Sequence, residues 1–332
     1  MPTFVKVPRN ESVIREFGAY PSLLNVGDGS TSLQRGVAAH GLSGFEPSTQ
    51  GTLLTLVQLA ADDRRRVEFF DIGAHVGMHS LLIATVYPAE VVHATGFEPT
   101  PLTASIFRGL AAANRLPIRI ERCAVADEDG TAELYISPWD TSNSLAEGFR
   151  PATDSFSVPT YSVDSYCAQR GVAPDVVKID VETLESQVLL GALATLERSR
   201  ASIVCEMLPA ADPERIGATL EALVGIGYHL HRFLRDEGWL PCSADDIINQ
   251  IDHYGRDWLF TPEPVDQRFR DAFSEWRTAV AECTGETSRP ATRHSTRAPA
   301  SYGAPRQEEP AGLVRRLSGR VTQLSAGSSR AG

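Results

Sequence analysis

Between about residue 50 and residue 262 the chain alternates short, uninterrupted apolar runs with longer stretches at helical spacing, and this alternation limits the fold more than any other feature. VEFFDIG (67–73) reads as a buried strand ending in a glycine turn, and 77–87 carries Met78, Leu81, Leu82 and Val86 at helical spacing. VVHATGFE follows as a strand, 102–114 as a helix and IRIERCAV (118–125) as a third strand, while DEDGTAELYIS (127–137) predicts a hairpin with Asp129-Gly130 in its turn. VPTYSVDSYC predicts an extra strand entering a short helix, and APDVVKIDVE (173–182) another buried strand. LESQVLLGALATLE (184–197) predicts a single helix with Leu184, Val188, Leu189, Ala192, Leu193 and Leu196 inward. ASIVCEM, a helix over 213–224, YHLHRF and RDWLFTP complete the series. Strands buried on both faces and separated by amphipathic helices mean an α/β fold, with a doubly wound, mostly parallel sheet and helices on both faces. Ligands of such sheets sit beyond the carboxyl ends of the strands, near the topological switch point.

The flanking segments read differently. Residues 1–50, rich in Gly, Ser and Pro with little periodicity, predict an N-terminal arm or cap on a main domain spanning 51–262. Over 263–286, Val265, Phe269, Phe273, Trp276 and Val280 share one helical face, the pattern of a packing helix. The 287–332 tail holds eight arginines against Glu308 and Glu309, which makes it basic while the whole chain carries −11. Its Ser/Gly/Ala/Pro/Arg composition predicts disorder, with Leu313, Leu317, Val321 and Leu324 as an isolated amphipathic pattern.

An acidic chain is a poor match for phosphate backbones, so no nucleic-acid partner is expected. No two of the five cysteines lie closer than 37 positions, which leaves no CxxC pair and, with the odd count, no disulfide framework. The amino terminus lacks the apolar core of a signal peptide and no apolar run reaches the length of a membrane span, so a cytoplasmic protein is expected.

Asp71-Ile72-Gly73-Ala74-His75-Val76-Gly77 joins the first strand to its helix, and Glu98 closes the second strand 27 positions after Asp71. Glycines let the backbone approach a ligand, and an acidic residue ending the second strand is placed to accept hydrogen bonds from both ribose hydroxyls of a nucleoside. A dinucleotide loop wants GxGxxG around a pyrophosphate. Here Gly73 and Gly77 are separated by three residues and preceded by a carboxylate, which would repel a pyrophosphate but bind the ammonium of a methionyl group. S-adenosylmethionine is therefore the expected cofactor, with Asp71, Gly73, His75, Gly77 and Glu98 as its site.

These residues belong to a longer series of matches: DIGAHVGMHS (71–80), GFEP (96–99), AVADEDGTAELYIS (124–137), Asn143-Ser144-Leu145, VPTYSVD (158–164), VVKIDVETLESQVLLGA (176–192) and IVCEM (203–207). In this order they resemble the FkbM-like S-adenosylmethionine-dependent methyltransferases. The resemblance implies the Rossmann-like class I methyltransferase fold and methylation of a hydroxyl, often on a sugar or polyketide-type metabolite. Two positions depart from the family pattern: Thr183, where Gly is usual, and His75, where Asn is usual.

Methyl transfer to oxygen requires alignment of the acceptor and removal of its hydroxyl proton. Lys178 and Asp180 lie on one side of a strand, and Glu182 is read as continuing that side. Asp180 is the candidate for orienting or deprotonating the acceptor, with His79 and Glu182 as alternates; Lys178 reads as an ion-pair partner. Asp180, Glu182 and Glu206 have no fixed metal-ligand spacing, and no metal is expected. His229 and His231 alternate on one strand face and read as structural. Two other functions compete: a nicotinamide-dependent oxidoreductase or epimerase, which wants GxGxxG and a Tyr-x-x-x-Lys pair absent here, and a catalytically idle cofactor-binding module.

Overall fold

A computed structural model describes residues 1–63, 66–139, 141–208, 211–250 and 256–285. The basic tail and its apolar pattern lie outside the described residues. In chain order the elements are β1 (Thr3–Lys6), α1 (Glu11–Phe17), β2 (Leu23–Gly27), α2 (Ser32–His40), α3 (Pro47–Asp63), β3 (Val67–Ile72), α4 (Met78–Val86), β4 (Val92–Phe97), α5 (Pro101–Asn114) and β5 (Arg119–Glu121). There follow β6 (Ala124–Val125), β7 (Gly130–Ile136), β8 (Asp154–Tyr161), α6 (Val163–Arg170), β9 (Val176–Ile179), α7 (Glu185–Leu190), α8 (Leu193–Ser199) and β10 (Ser202–Glu206). The last are α9 (Pro213–Gly225), β11 (His229–Leu234), β12 (Gly238–Pro241), α10 (Ala244–Gln250), β13 (Asp257–Thr261) and α11 (Gln267–Ala281).

The main sheet has the order β12-β11-β13-β10-β9-β3-β4-β5. The five strands from β10 to β5 pair in parallel, and β13, β11 and β12 add antiparallel pairs at one side. Strand alternation feeds two cores. Phe69, Ala94, Val176 and Val204 face α3, α4, α5 and α11, whereas Phe70, Ile72, Phe97, Val177, Ile179 and Ile203 face α6 to α9. From β3 the chain winds outward to β4 and β5, then returns to place β9 on the other side of β3. The switch point therefore lies between the carboxyl ends of β3 and β9.

The structure departs from the sequence reading in four places. Residues 1–50 are not an irregular arm: Val5, Val13, Leu24, Val26, Val37 and Leu42 are buried in the same core as Phe69 and Trp276, and the expected 50/51 boundary falls inside α3. Their elements are too short, and too often broken by Gly and Pro, to show a period. The 118–125 strand splits between β5 in the main sheet and β6 in a separate three-stranded sheet of order β6-β8-β7. The expected 127–137 hairpin does not form, because β8 lies between β6 and β7 and is the antiparallel partner of β7. The 184–197 helix is two helices, α7 and α8. Gly191 passes so close to the 126–127 backbone that a Cβ there would stand 2.4 Å from the Ala126 carbonyl oxygen, and Asp164 caps the new helix start by accepting from Ala194 N and Thr195 N.

In α11, Phe269, Phe273, Trp276 and Val280 are all buried against α3, and the Trp276 indole N–H donates to Gln58 Oε1 at 2.8 Å. Trp276→Ala removes a fully buried ring and orphans the Gln58 acceptor; it should cost about 3–5 kcal/mol of stability, measured by denaturant titration.

Candidate active site

The carboxyl end of β3 turns on three left-handed residues, Gly73 (φ 77°), His75 (φ 51°) and Gly77 (φ 76°). Side chains at two of these places would collide with the fold. A Cβ on Gly73 would lie 1.8 Å from the Asp180 carbonyl oxygen, and one on Gly77 would lie 2.0 Å from the Phe107 ring. His75 stands where Asn is usual in proteins that this sequence resembles, and His shares with Asn a tolerance for this conformation. The turn aims the His75 N–H at Glu98 Oε2, 2.9 Å away.

Glu98 is buried at the end of β4, and its other oxygen accepts from Thr100 N at 2.8 Å. Burial pushes the Glu98 pKa up to about 7 despite these hydrogen bonds. The Thr100 side chain hydrogen-bonds to the same carboxyl, and a carboxylate has about four acceptor sites, so Glu98 can still accept a ligand hydroxyl. Asp71 is more committed than the sequence suggests. Its Oδ2 accepts from both Ser80 N (3.1 Å) and Ser80 Oγ (2.7 Å), tying β3 to the first turn of α4. Its Oδ1 is buried with no hydrogen-bond partner among the described residues.

Lys178 faces Asp71 in the β3–β9 register and donates to Asp180 Oδ2 at 2.7 Å. Burial works against its ammonium, but the Asp180 and Asp71 carboxylates outweigh that penalty and hold the Lys178 pKa above its ordinary value. Burial likewise opposes the Asp180 carboxylate, and Lys178 overrides it, so the Asp180 pKa lies below the usual range. Asp180 is also hydrogen-bonded to Glu206 at the end of β10. Burial and the Asp180 charge drive the Glu206 pKa well above normal, so Glu206 holds the proton of that pair.

The chain leaves β9 through two more left-handed residues, Glu182 (φ 57°) and Thr183 (φ 87°). Strand alternation ends at Ile179, so the expectation that Glu182 continues the side of Lys178 and Asp180 has no strand to rest on. Burial, with Asp180 and Glu185 nearby, pushes the Glu182 pKa up to about 8. Glu185 Oε1 accepts from both Val181 N and Thr183 N and so holds this turn. Ser144 Oγ donates to the Glu182 carbonyl and Asn143 Nδ2 to Thr100 Oγ1, which links the β4 and β9 ends through one loop.

Two acidic residues that the sequence reading missed complete the edge. Asp257 opens β13, and because that strand is antiparallel its first residue lies opposite Glu206; Thr49 Oγ1 donates to it at 2.8 Å. Glu46, just before α3, lies 3.0 Å from His79 Nε2. The only available signal for Asp257 was its place at the start of a strand whose direction the sequence does not reveal; Glu46 had none. Among the described residues, no group of three or more His, Cys, Asp or Glu is arranged to hold a metal ion. His231 is buried away from this edge with Nδ1 3.3 Å from the Leu259 carbonyl, while His229 is exposed.

Comparison with known families matches residues 71–240 to the methyltransferase FkbM domain. The chain belongs to the FkbM methyltransferase family. It is similar to the 31-O-demethyl-FK506 methyltransferase FkbM of Streptomyces tacrolimicus, at 28% identity over 155 residues, covering 37% of this chain and 58% of that protein. The chain thus spans little more than half the length of that relative. Among solved structures, a methyltransferase FkbM from Methylobacillus flagellatus KT aligns at 14% identity and TM-score 0.39, over 60% of this chain and 44% of the other. An O-methyltransferase from Bacillus cereus aligns at 13% identity and TM-score 0.35, over 64% and 79%.

The cofactor is S-adenosylmethionine, and the residues present fit it. Glu98 can still accept a ribose hydroxyl, and Asp71 Oδ1 is a buried acceptor with no hydrogen-bond partner among the described residues. No helix of the described residues is long and apolar enough to cross a membrane.

If ribose hydroxyls are accepted by ionised Glu98, binding must release the proton held below pH 7. Affinity for S-adenosylhomocysteine, measured by calorimetry, should then weaken by up to about tenfold per pH unit as pH falls below about 7, and this dependence should vanish in Glu98→Gln. Thr183→Gly relieves a β-branched residue of its left-handed backbone and should raise stability by about 1 kcal/mol, read as a higher melting temperature.

Proposed function

We propose that the protein is an O-methyltransferase that carries a methyl group to a hydroxyl of a sugar or polyketide-type small molecule. The observation that carries this reading is the state of Asp180. It is ionised by Lys178, stands one residue past β9 at the switch point, and its side chain keeps 22% of its surface exposed. Such a carboxylate accepts a charge-assisted hydrogen bond from an approaching hydroxyl and aligns its oxygen for displacement. Bound S-adenosylmethionine supplies a sulfonium methyl open to that displacement.

In this reading Asp71 and Glu98 hold the two ends of the cofactor, and Gly73, His75 and Gly77 shape the backbone against it. The relative from Streptomyces tacrolimicus is named for methylation of an oxygen, which supports a hydroxyl acceptor. Family membership sets aside the nicotinamide-dependent alternative. A catalytically idle module remains the competing outcome.

Incubation with S-adenosylmethionine and a panel of glycosides and polyketide alcohols should release S-adenosylhomocysteine and yield a methyl ether, identified by NMR. Binding of cofactor with no turnover across the panel, or methylation of nitrogen or carbon, would refute the assignment. With the alcohol found in this way, Asp180→Asn should lower turnover per folded molecule about 10²-fold while leaving affinity for S-adenosylhomocysteine intact. A lowered melting temperature with unchanged turnover per folded molecule would make Asp180 only the ion-pair partner of Lys178.

A further inference from the structure

Glu46 lies outside the family-matched residues, yet the fold brings it to the first turn of α4. It has a left-handed backbone (φ 40°) although it is not glycine, and Pro47 follows it. Several contacts hold it there. Gln50 N donates to the Glu46 carbonyl at 3.0 Å, the Gln50 side-chain amide donates to the carbonyls of Leu42 and Phe45, and Ser43 N donates to the Cys283 carbonyl. Strain in a position so fully determined is a mark of functional placement.

The partner of Glu46 is equally fixed. His79 is 5% exposed, its Nε2 lies 3.0 Å from Glu46 Oε2, and the Phe45 ring lies against the imidazole at 5.2 Å between centroids. An ionised carboxylate only accepts, so the hydrogen of a neutral imidazole must sit on Nε2 and Nδ1 must carry the lone pair. That Nδ1 is buried and has no hydrogen-bond partner among the described residues. His79 precedes Ser80, whose backbone and hydroxyl bind Asp71 at the end of β3, and lies close enough to Asp180 for a charge on its ring to be felt there.

We infer that Glu46 is a positioning residue that holds His79 as the Nε2–H tautomer, so that Nδ1 takes the proton of the acceptor hydroxyl during methyl transfer. The inference rests on the O-methyltransferase reading. The hydroxyl O–H bond breaks as the oxygen forms its bond to the methyl carbon, and the C–S electron pair returns to sulfur. The proton passes to Nδ1, and the Glu46 charge stabilises the imidazolium that results. Asp180 is ill suited to this second task, because Lys178 makes its carboxylate a weak base, and it retains the orienting role.

The tautomer can be read without any acceptor, which separates failure of this inference from failure of the proposed reaction. Long-range ¹H–¹⁵N correlation spectra of the full-length chain should show His79, assigned by its loss in His79→Asn, with a protonated Nε2 and a bare Nδ1. Glu46→Ala should turn this into a mixture of tautomers. An Nδ1–H ring in the parent chain, or an unaltered ring in Glu46→Ala, overturns the inference. Should Glu46→Ala fail to fold, Glu46→Gln keeps the shape without the charge. Its kcat on the identified alcohol should fall about tenfold with acceptor KM changed by less than about twofold, and combining it with His79→Asn should add no loss beyond His79→Asn alone. Additive losses, or an effect confined to KM, overturn it equally.

Discussion

The contact on which the site depends is the approach of Gly73 to the backbone of Asp180. Any side chain at 73 would overlap the Asp180 carbonyl oxygen, and Asp180 N donates to the Ile72 carbonyl at 3.0 Å. Only a left-handed glycine lets the ends of β3 and β9 meet so closely. That meeting sets Asp71 beside Lys178 in register and leaves Asp180 within reach of the same ammonium. A buried ammonium with one partner removed is costly, by about 3–5 kcal/mol in comparable pairs. The two carboxylates flanking Lys178 are therefore part of what keeps the switch point closed.

The acidic edge is also a problem of proton accounting. Glu46, Asp180, Glu182, Glu206 and Asp257 crowd one end of the sheet, with Lys178 buried among them and Arg256 3.7 Å from Glu206. Full ionisation of so many buried carboxyls is unfavourable, and the structure resolves the conflict by dividing them. Lys178 keeps Asp180 ionised, Glu206 retains a proton, and burial together with Glu46 raises Asp257 to about 6. An edge divided in this way offers both hydrogen-bond donors and acceptors.

What could be read from the sequence was whatever depends on near neighbours. Asp71, Gly73, Gly77 and Glu98 announce themselves because a buried strand, a glycine turn and a helix are contiguous, and the place of Asp180 follows from a run of apolar residues that stops there. What escaped depends on packing between distant segments. Glu46 and Asp257 reach the site from elements flanking the parallel sheet. The hairpin failed because β8, which begins at Asp154 well beyond the end of β7 at Ile136, displaced the nearer partner. Helix 184–197 failed because Gly191 had to pass under the 126–127 backbone. In each case local propensity was overruled by a contact with no local signature.

The two departures from the family pattern both fall on left-handed residues, and the backbone treats them differently. His75 belongs to the small set of side chains that enter this region readily, so replacing Asn there costs little. Thr183 does not: a β-branched residue at φ 87° is strained by about 1–2 kcal/mol. Against that strain stand two backbone hydrogen bonds to the buried Glu185 carboxyl, from Val181 and Thr183, each worth about 1.5–3 kcal/mol when the acceptor is charged. The balance favours the turn while Glu185 is ionised. Burial has raised the Glu185 pKa to about 7, and protonation takes away the charge that makes those bonds strong. The 181–183 turn, and with it the backbone that Ser144 grips at Glu182, is therefore held by a carboxyl group poised at its own titration point, and the strain of Thr183 is what it holds against.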